Sequence, residues 1–367
     1  MHSERLYQLA LTQVPLIGCV IAKNLVEQFG SASAIFSAKE STLAKMDGIG
    51  TVRAKSIKSY NQFDSLQSEL DFVEKYQVQM LFLNDPKYPK RLLQCYDSPT
   101  LLFYKGNADL NATKIVSIIG TRLYTEYGKF VTEKLVKDLA VENVVITSGL
   151  AFGIDTIAHK TALKHNLPTI GVLAHGLDII YPPENKSMAR QMTKEGGGLL
   201  SEFRTGTKPD KHNFPTRNRI VAALADATIV IETDVKGGSM ITAELANNYN
   251  RDVFAFPGKI TDTKSRGCHR LISQNKAAIL TGAHEFLELM NWLPATGKKK
   301  KIQRQLFIEM TVEEKIIYEL LNAATQLPVD ELYFKSGLSS SSAAGALLSL
   351  ELQNVVQSLP GKIYRIL

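Results

Sequence analysis

The sequence predicts an α/β fold built on an open parallel sheet, with a small helical module before it and a winged-helix module after it. Three observations carry that expectation. From about residue 112 to 284, short Val- and Ile-rich runs closed by Gly or Ser alternate with helix-like segments, the pattern of parallel strands buried on both faces. Residues 1 to about 75 read as a succession of short helices. Beyond about residue 306 the order is helix, turn, helix, turn, helix and a short hairpin. A chain of 367 residues suits two or three domains, and the expected partition is 1–78, 79–290, a basic linker at 291–305, and 306–367.

The N-terminal module holds Met46-Asp-Gly-Ile-Gly-Thr-Val-Arg-Ala-Lys-Ser-Ile57, where Gly48 and Gly50 permit a tight turn between helices and leave backbone N–H groups exposed. Two readings stand: a helix-hairpin-helix that touches backbone phosphate without reading sequence, or a plain helical hairpin. The sheet strands are expected in KIVSIIGTR, NVVITSG, PTIGVLAHG, GGLLSEF, ATIVIET, DVFAFPG and AAILTG. Ligands of such a sheet bind at the carboxyl ends of its strands, where the Gly-rich turns fall. Gly297-Lys-Lys-Lys-Lys301, with Gln303 and Arg304, reads as a solvated linker. In the last module the third helix, Ser340 to Leu352, begins with N-capping serines. It offers Ala, Ser, Leu and Glu351 where a DNA-reading helix offers Arg, Lys, Asn or Gln. That composition marks a protein-contact module first and a DNA binder second.

Lys plus Arg number 43 against 36 Asp plus Glu, a net +7 that favours polyanionic partners. Cys19, Cys95 and Cys268 stand far apart and form neither a CxxC nor a Cys/His ligand spacing, so a reduced, cytoplasmic setting is expected. The N-terminus carries acidic and polar residues where a signal peptide needs a basic start and an apolar core. No segment has the length of a membrane span, and no membrane association is expected.

Four turns carry the site. Ile119-Gly120-Thr121-Arg122 ends a strand and delivers a hydroxyl and a guanidinium. Thr147-Ser148-Gly149-Leu-Ala-Phe-Gly153-Ile-Asp155 leads from a strand into a helix, whose successive N–H groups attract an anion. Lys211-His-Asn-Phe214-Pro-Thr-Arg217-Asn218-Arg219 sets basic and aromatic groups ahead of an apolar helix. Lys236-Gly-Gly238-Ser239 follows ATIVIET. There is no GxxxxGK[ST] loop and no GxGxxG after the first sheet strand, which argues against phosphate-loop ATP hydrolysis and a standard dinucleotide site. Asp155 and His159, at i and i+4, read as a helix-start carboxylate and a packing histidine. Glu184, Glu202 and Glu244 show no acid/base spacing, and no metal site is expected.

In their order, YPKRLLQCYDSPTLLFYKGN, SIIGTR, TSGLAFGIDTIAHKTAL, TIGVLAHGLDIIYPPEN, LLSEF, FPTRNRIVAAL, KGGSMITAELA and FPGKITDTKSRGCHRLI resemble the DNA-processing protein A (DprA/Smf) family from about Tyr88 to Gly282. The resemblance implies a small N-terminal helical domain of helix-hairpin-helix, SAM-like type, an extended Rossmann-like central domain and a C-terminal winged helix. It also implies a non-catalytic protein that binds single-stranded DNA without sequence preference, protects it, and helps place the RecA recombinase on it during natural transformation and homologous recombination. It further implies a homodimer formed through the central domain, with DNA in a basic pocket on each subunit and no cofactor.

Matched by motif, the DNA-contact residues are Gly120, Thr121, Arg122, Ser148, Gly149, Gly153, Lys211, Phe214, Arg217, Asn218, Arg219, Gly238 and Ser239. Lys211 and Arg217 would meet phosphate and Phe214 a base, since base–aromatic stacking tolerates any sequence. The competing reading buries Phe214 and leaves Arg217 and Arg219 on a solvated first helical turn. Departures from the family pattern are Thr121 for Ser, Gly237 for the first Ser of Ser-Gly-Ser, Ala174 for Gly and His269 for Asn. A second hypothesis, a nucleoside-monophosphate phosphoribohydrolase, needs PGGxGTxxE, which Lys236 to Glu244 only approaches. A third, compatible with the first, makes the terminal modules adaptors for other proteins.

Overall fold

Burial on both faces explains why the strands are so rich in Val and Ile. In a computed structural model that describes residues 2–293, 310–324, 326–353, 355–359 and 362–366, all five residues of Ile115–Ile119 are buried. Along that strand Ile115 and Ile119 join one core and Val116 and Ile118 the other, the two-residue alternation of a pleated strand.

The chain begins with helices α1 (Glu4–Leu11), α2 (Cys19–Phe29), α3 (Ala32–Ser37), α4 (Glu40–Ala44), α5 (Gly50–Ser59) and α6 (Gln67–Lys75). Ser3 caps α1 through its side chain, and Glu4 accepts the Ala32 and Ser33 N–H groups at the start of α3 at 2.8 and 3.1 Å. Between α4 and α5 the chain turns through Gly48 and Gly50, both at positive φ (74° and 61°), as a Gly-Ile-Gly turn requires. Arg53 donates to the Gly48 and Leu16 carbonyls, so this cation closes the turn on itself.

The sheet follows as β1 (Gln79–Phe82), β2 (Leu101–Gly106), β3 (Ile115–Ile119), β4 (Val145–Ser148), β5 (Thr169–Leu173), β6 (Gly198–Ser201), β7 (Ala227–Val230), β8 (Asp252–Ala255) and β9 (Ala278–Ile279). Its spatial order is β1-β2-β6-β5-β4-β3-β7-β8-β9. The seven runs expected as strands are β3 to β9, and they are parallel. The sheet is nevertheless mixed, because β2 pairs antiparallel with β6 and β1 antiparallel with β2. This corrects the all-parallel expectation. The chain steps outward from β3 to β6 and then returns to lay β7 on the other side of β3, which opens a crevice at the carboxyl ends of β3, β4 and β7.

Helices cover both faces. Between strands run α7 (Lys90–Leu93), α8 (Glu126–Leu139), α9 (Ile154–Lys164), α10 (Lys186–Lys194), α11 (Asn213–Leu224), α12 (Gly238–Asn248) and α13 (Arg266–Ser273), and α14 (Ala283–Leu289) follows β9. Residues of α8, α9 and α14 share one core. Those of α11, α12 and α13 share the other with the N-terminal helices. That continuity, with Glu69 accepting from Thr205 N–H and Oγ1 at 3.1 and 2.6 Å, makes residues up to Leu293 one compact unit. The expected boundary at residue 78 falls inside it.

The basic linker expected at 291–305 lies, from residue 294 on, outside the described residues. The second unit contains α15 (Val312–Ala323), started by a Thr311/Glu314 capping box, then β10 (Leu327–Pro328), α16 (Val329–Ser336), α17 (Ser340–Leu352), β11 (Val356–Leu359) and β12 (Ile363–Ile366). Its three-stranded sheet runs β10-β12-β11, and the whole is a winged helix. Ala343, Ala346, Leu347 and Leu350 of α17 are buried, whereas Ala344, Leu348 and Leu352 are exposed. The outward face of this helix carries serines, Ala344, Gly345 and leucines, and no cation or amide.

Candidate nucleic-acid interface

At the crevice beside β3, a cavity of about 460 Å³ gathers all four Gly-rich turns. Gly120 lets the end of β3 lie against α9: a Cβ there would come within 2.5 Å of Ile154 Cγ1. Thr121 N–H donates to the Glu232 carbonyl at 2.7 Å, and its hydroxyl accepts the Leu123 N–H at 3.1 Å. Fixed by these bonds, the turn presents Arg122 to solvent with its guanidinium carbon 5.3 Å from the Phe214 ring centroid, a cation–π distance.

The second turn serves the first as a buttress. Ser148 is buried and donates to the Ile118 carbonyl at 2.6 Å. Gly153 has φ 84°, and a Cβ there would lie 2.2 Å from the Thr121 carbonyl oxygen and 2.7 Å from Arg122 Cα, so only glycine admits this approach. Neither residue lines the cavity, although both were expected at DNA. The N–H groups at this turn are not free for an external anion either. Asp155 Oδ2 accepts those of Gly149 and Ala151 at 3.1 and 3.3 Å. Burial raises the Asp155 carboxyl pKa, opposed by the charge of Arg217 and by its hydrogen bonds.

From the third turn, Lys211 is exposed, Phe214 half-buried and Asn218 half-buried at the cavity wall. Arg217, expected at a phosphate, is only 5% exposed. Its guanidinium donates to the Gly149 and Val172 carbonyls, which ties the ends of β4 and β5 together beneath the cavity. Burial lowers its pKa to about 10, still charged at neutral pH. Gly149 is small because this guanidinium passes it: a Cβ would lie 2.7 Å from Arg217 Cζ. Arg219 points elsewhere. It donates to the Asp97 carbonyl and pairs with Glu202, beside Cys19, outside the cavity. Two residues along a helix turn about 200°, so Arg217 and Arg219 occupy opposite sides of α11, both structural.

The fourth turn begins α12. Ser239 donates to Thr233 Oγ1 at 2.7 Å, Gly238 is exposed, and no side chain caps the helix. The positive end of α12 thus opens on the cavity. Of the two carboxylates at the cavity, Asp155 is buried beneath it and Asp234 pairs with Arg266 at 3.3 Å. Arg122 and Lys211 are the exposed charges that face solvent without a paired carboxylate among the described residues.

Sequence reasoning missed Asp155 as the filler of its own turn, and it missed Thr233 and Asp234, which no motif marked. It also missed Tyr181, whose ring lies 6.2 Å from Phe214. The reading of His159 as a packing residue holds. His159 is fully buried with Nδ1 2.7 Å from Thr169 Oγ1, and burial lowers its pKa to about 3. His269 Nε2 donates to the Gly258 carbonyl at 3.0 Å. Glu244, which hydrolysis would need at the cavity, is exposed beside Lys276. Among the described residues, no group of His, Cys, Asp and Glu is placed to hold a metal.

Three family models match the chain: DNA recombination-mediator protein A over residues 79–291, a SAM-like helix-hairpin-helix tandem over 9–60, and the DprA winged helix domain over 309–362. Protein Smf of Synechocystis sp. is 33% identical over 99% of both chains. DNA processing protein DprA of Streptococcus pneumoniae is 41% identical over 62% of this chain and 78% of its own. The X-ray structure of the S. pneumoniae protein superposes with a TM-score of 0.66 at 35% identity, covering 77% of this chain and 97% of that one. A second structure, reported for the single-stranded DNA binding mode of DNA processing protein A from Helicobacter pylori, gives 0.53 at 33% identity over 59% of this chain and 96% of that one.

Proposed function

This chain belongs to the DNA recombination-mediator protein A family, and on that premise we propose that it binds single-stranded DNA, without sequence preference, in the cavity beside β3. The observation that carries the reading is the convergence of Arg122, Lys211, Phe214 and the open end of α12 on one cavity. Arg122 and Lys211 neutralise phosphates and make binding sensitive to salt. Phe214 offers a face to any base. Gly120, Thr121, Gly238 and Ser239 bring backbone close to the strand, and Asn218 adds an amide at the wall. Arg217, Ser148, Gly149, Gly153 and Arg219 hold these groups in place.

In this reading the protein carries DNA and does not transform it. Its further roles in this proposal are protection of incoming DNA and loading of RecA in transformation and recombination, as a homodimer in a reducing cytoplasm. The likeness to the Helicobacter pylori structure, reported for its single-stranded DNA binding mode, supports the binding itself. Three free cysteines suit the last, and no described helix is long and apolar enough to cross a membrane. The test is anisotropy with labelled oligothymidylate. Phe214→Ala should weaken binding by about 1–3 kcal/mol while the salt slope stays the same, and unchanged affinity would remove Phe214 from the site. Mass in solution and RecA filament assembly on coated DNA test the dimer and the loading role.

A further inference from the structure

We infer, resting on the reading above, that a bound strand leaves the central cavity over Tyr181 and continues into a second cleft walled by α6, Lys105 and α10. This cleft has a volume of about 380 Å³ and is lined by Phe72, Tyr76, Lys105, Lys186 and Arg190. Tyr76 is 48% exposed, with Phe72 4.6 Å away and Lys75 Nζ 5.5 Å from its ring. Lys105 donates to the Tyr76 carbonyl, which fixes a cation at that residue's backbone.

Lys186 and Arg190 sit at i and i+4 on α10, so they share a face and repel one another. Neither they nor Lys105 form an ion pair among the described residues. The carboxylate that lines the cleft, Asp178, accepts the Gly206 N–H at 3.0 Å. Three cations without an ion pair, around the exposed Tyr76 and the half-buried Phe72, are the composition of a single-strand binding track, phosphates on the cations and bases on the rings.

One loop separates the two clefts. Tyr181, 42% exposed, faces Phe214, Phe152 and Arg122 on the side of the central cavity. Its neighbour Ile180 walls the second cleft with Leu177. Ile180 and Tyr181 are consecutive residues, so one short ridge parts the two clefts, with Tyr181 as the intermediate stacking face.

The test uses the full chain and labelled oligothymidylates of about 4 and about 15 nucleotides. A variant carrying Tyr76→Ala, Lys186→Gln and Arg190→Gln should bind the longer strand roughly fivefold or more weakly, with a salt slope smaller by about 1.4. Its affinity for the short strand should match that of the wild type. Tyr76→Phe, which keeps a stacking face, should leave both affinities in place. An unchanged affinity and slope for the longer strand, or an equal loss on both lengths, would overturn the second cleft. A wild type that binds neither strand would instead refute the central cavity itself.

Discussion

Arg122 and Arg217 line the same cavity, yet they should fail in different ways. Arg122 is exposed and stands over Phe214, so Arg122→Ala removes one phosphate-neutralising charge. For a single strand each such charge contributes about 0.7 to the slope of log affinity against log salt. Over a fourfold rise in salt the wild type should then lose about 2.6-fold more affinity than the variant. Arg217→Met removes no phosphate contact, but it strands the Gly149 and Val172 carbonyls, at roughly 1–3 kcal/mol for each acceptor left unsatisfied. It should lower the urea midpoint and weaken DNA binding as the ends of β4 and β5 come apart, while leaving the salt slope near that of the wild type. Anisotropy titrations at several salt concentrations, paired with urea denaturation, measure both quantities. A wild-type slope in Arg122→Ala, or a slope reduced by Arg217→Met with full stability, would refute the assignment of one arginine to phosphate and the other to the floor.

Gly153→Ala should destabilise by roughly 2–6 kcal/mol, the sum of a strained positive φ and an overlap with the Thr121 carbonyl that backbone cannot relieve; an unchanged urea midpoint would show that the two turns are not locked. His159 binds its proton near pH 3 when folded against the ordinary 6.5, so the stability it contributes is present above about 6.5 and is lost as pH falls toward 3. Between about pH 7.5 and 5 this amounts to roughly 2 kcal/mol. Asp155 works in the opposite sense, its raised pKa adding stability as pH falls, so the check is a flatter urea-midpoint profile for His159→Gln than for the wild type. Removing residues 306–367 should leave single-strand affinity within about twofold, because the outward face of α17 carries no base-reading side chain; a large loss would make the winged helix a DNA-binding module.

Much of the fold was legible because burial on two faces writes itself as unbroken Val and Ile. The strands β3 to β9 announce themselves that way. The pair β1 and β2 does not: QMLF and LLFYKG are short apolar runs without periodicity, which serve helix and strand equally. Their antiparallel pairing with β6 is settled by tertiary contacts. In the site, glycines at strand ends were readable, since few other residues let backbone turn and approach so closely. The direction of each side chain was not. Arg217 and Arg219 look alike in FPTRNRI, and only the position of α11 over the sheet decides that one lies beneath the cavity and the other meets Glu202. The N–H groups of Gly149 and Ala151 looked free for an anion because nothing in their spacing shows that Asp155 folds back to fill them.

The central claim is that the cavity beside β3 grips single-stranded DNA. A competition titration tests it most directly: labelled oligothymidylate bound to the full chain is displaced by unlabelled single strand or by duplex of equal length. Single strand should displace the label at roughly tenfold lower concentration or less, since duplex bases cannot reach Phe214 without the cost of unstacking, and Phe214→Ala should erase most of that preference. Equal displacement by duplex, or a preference that survives Phe214→Ala, would contradict the account.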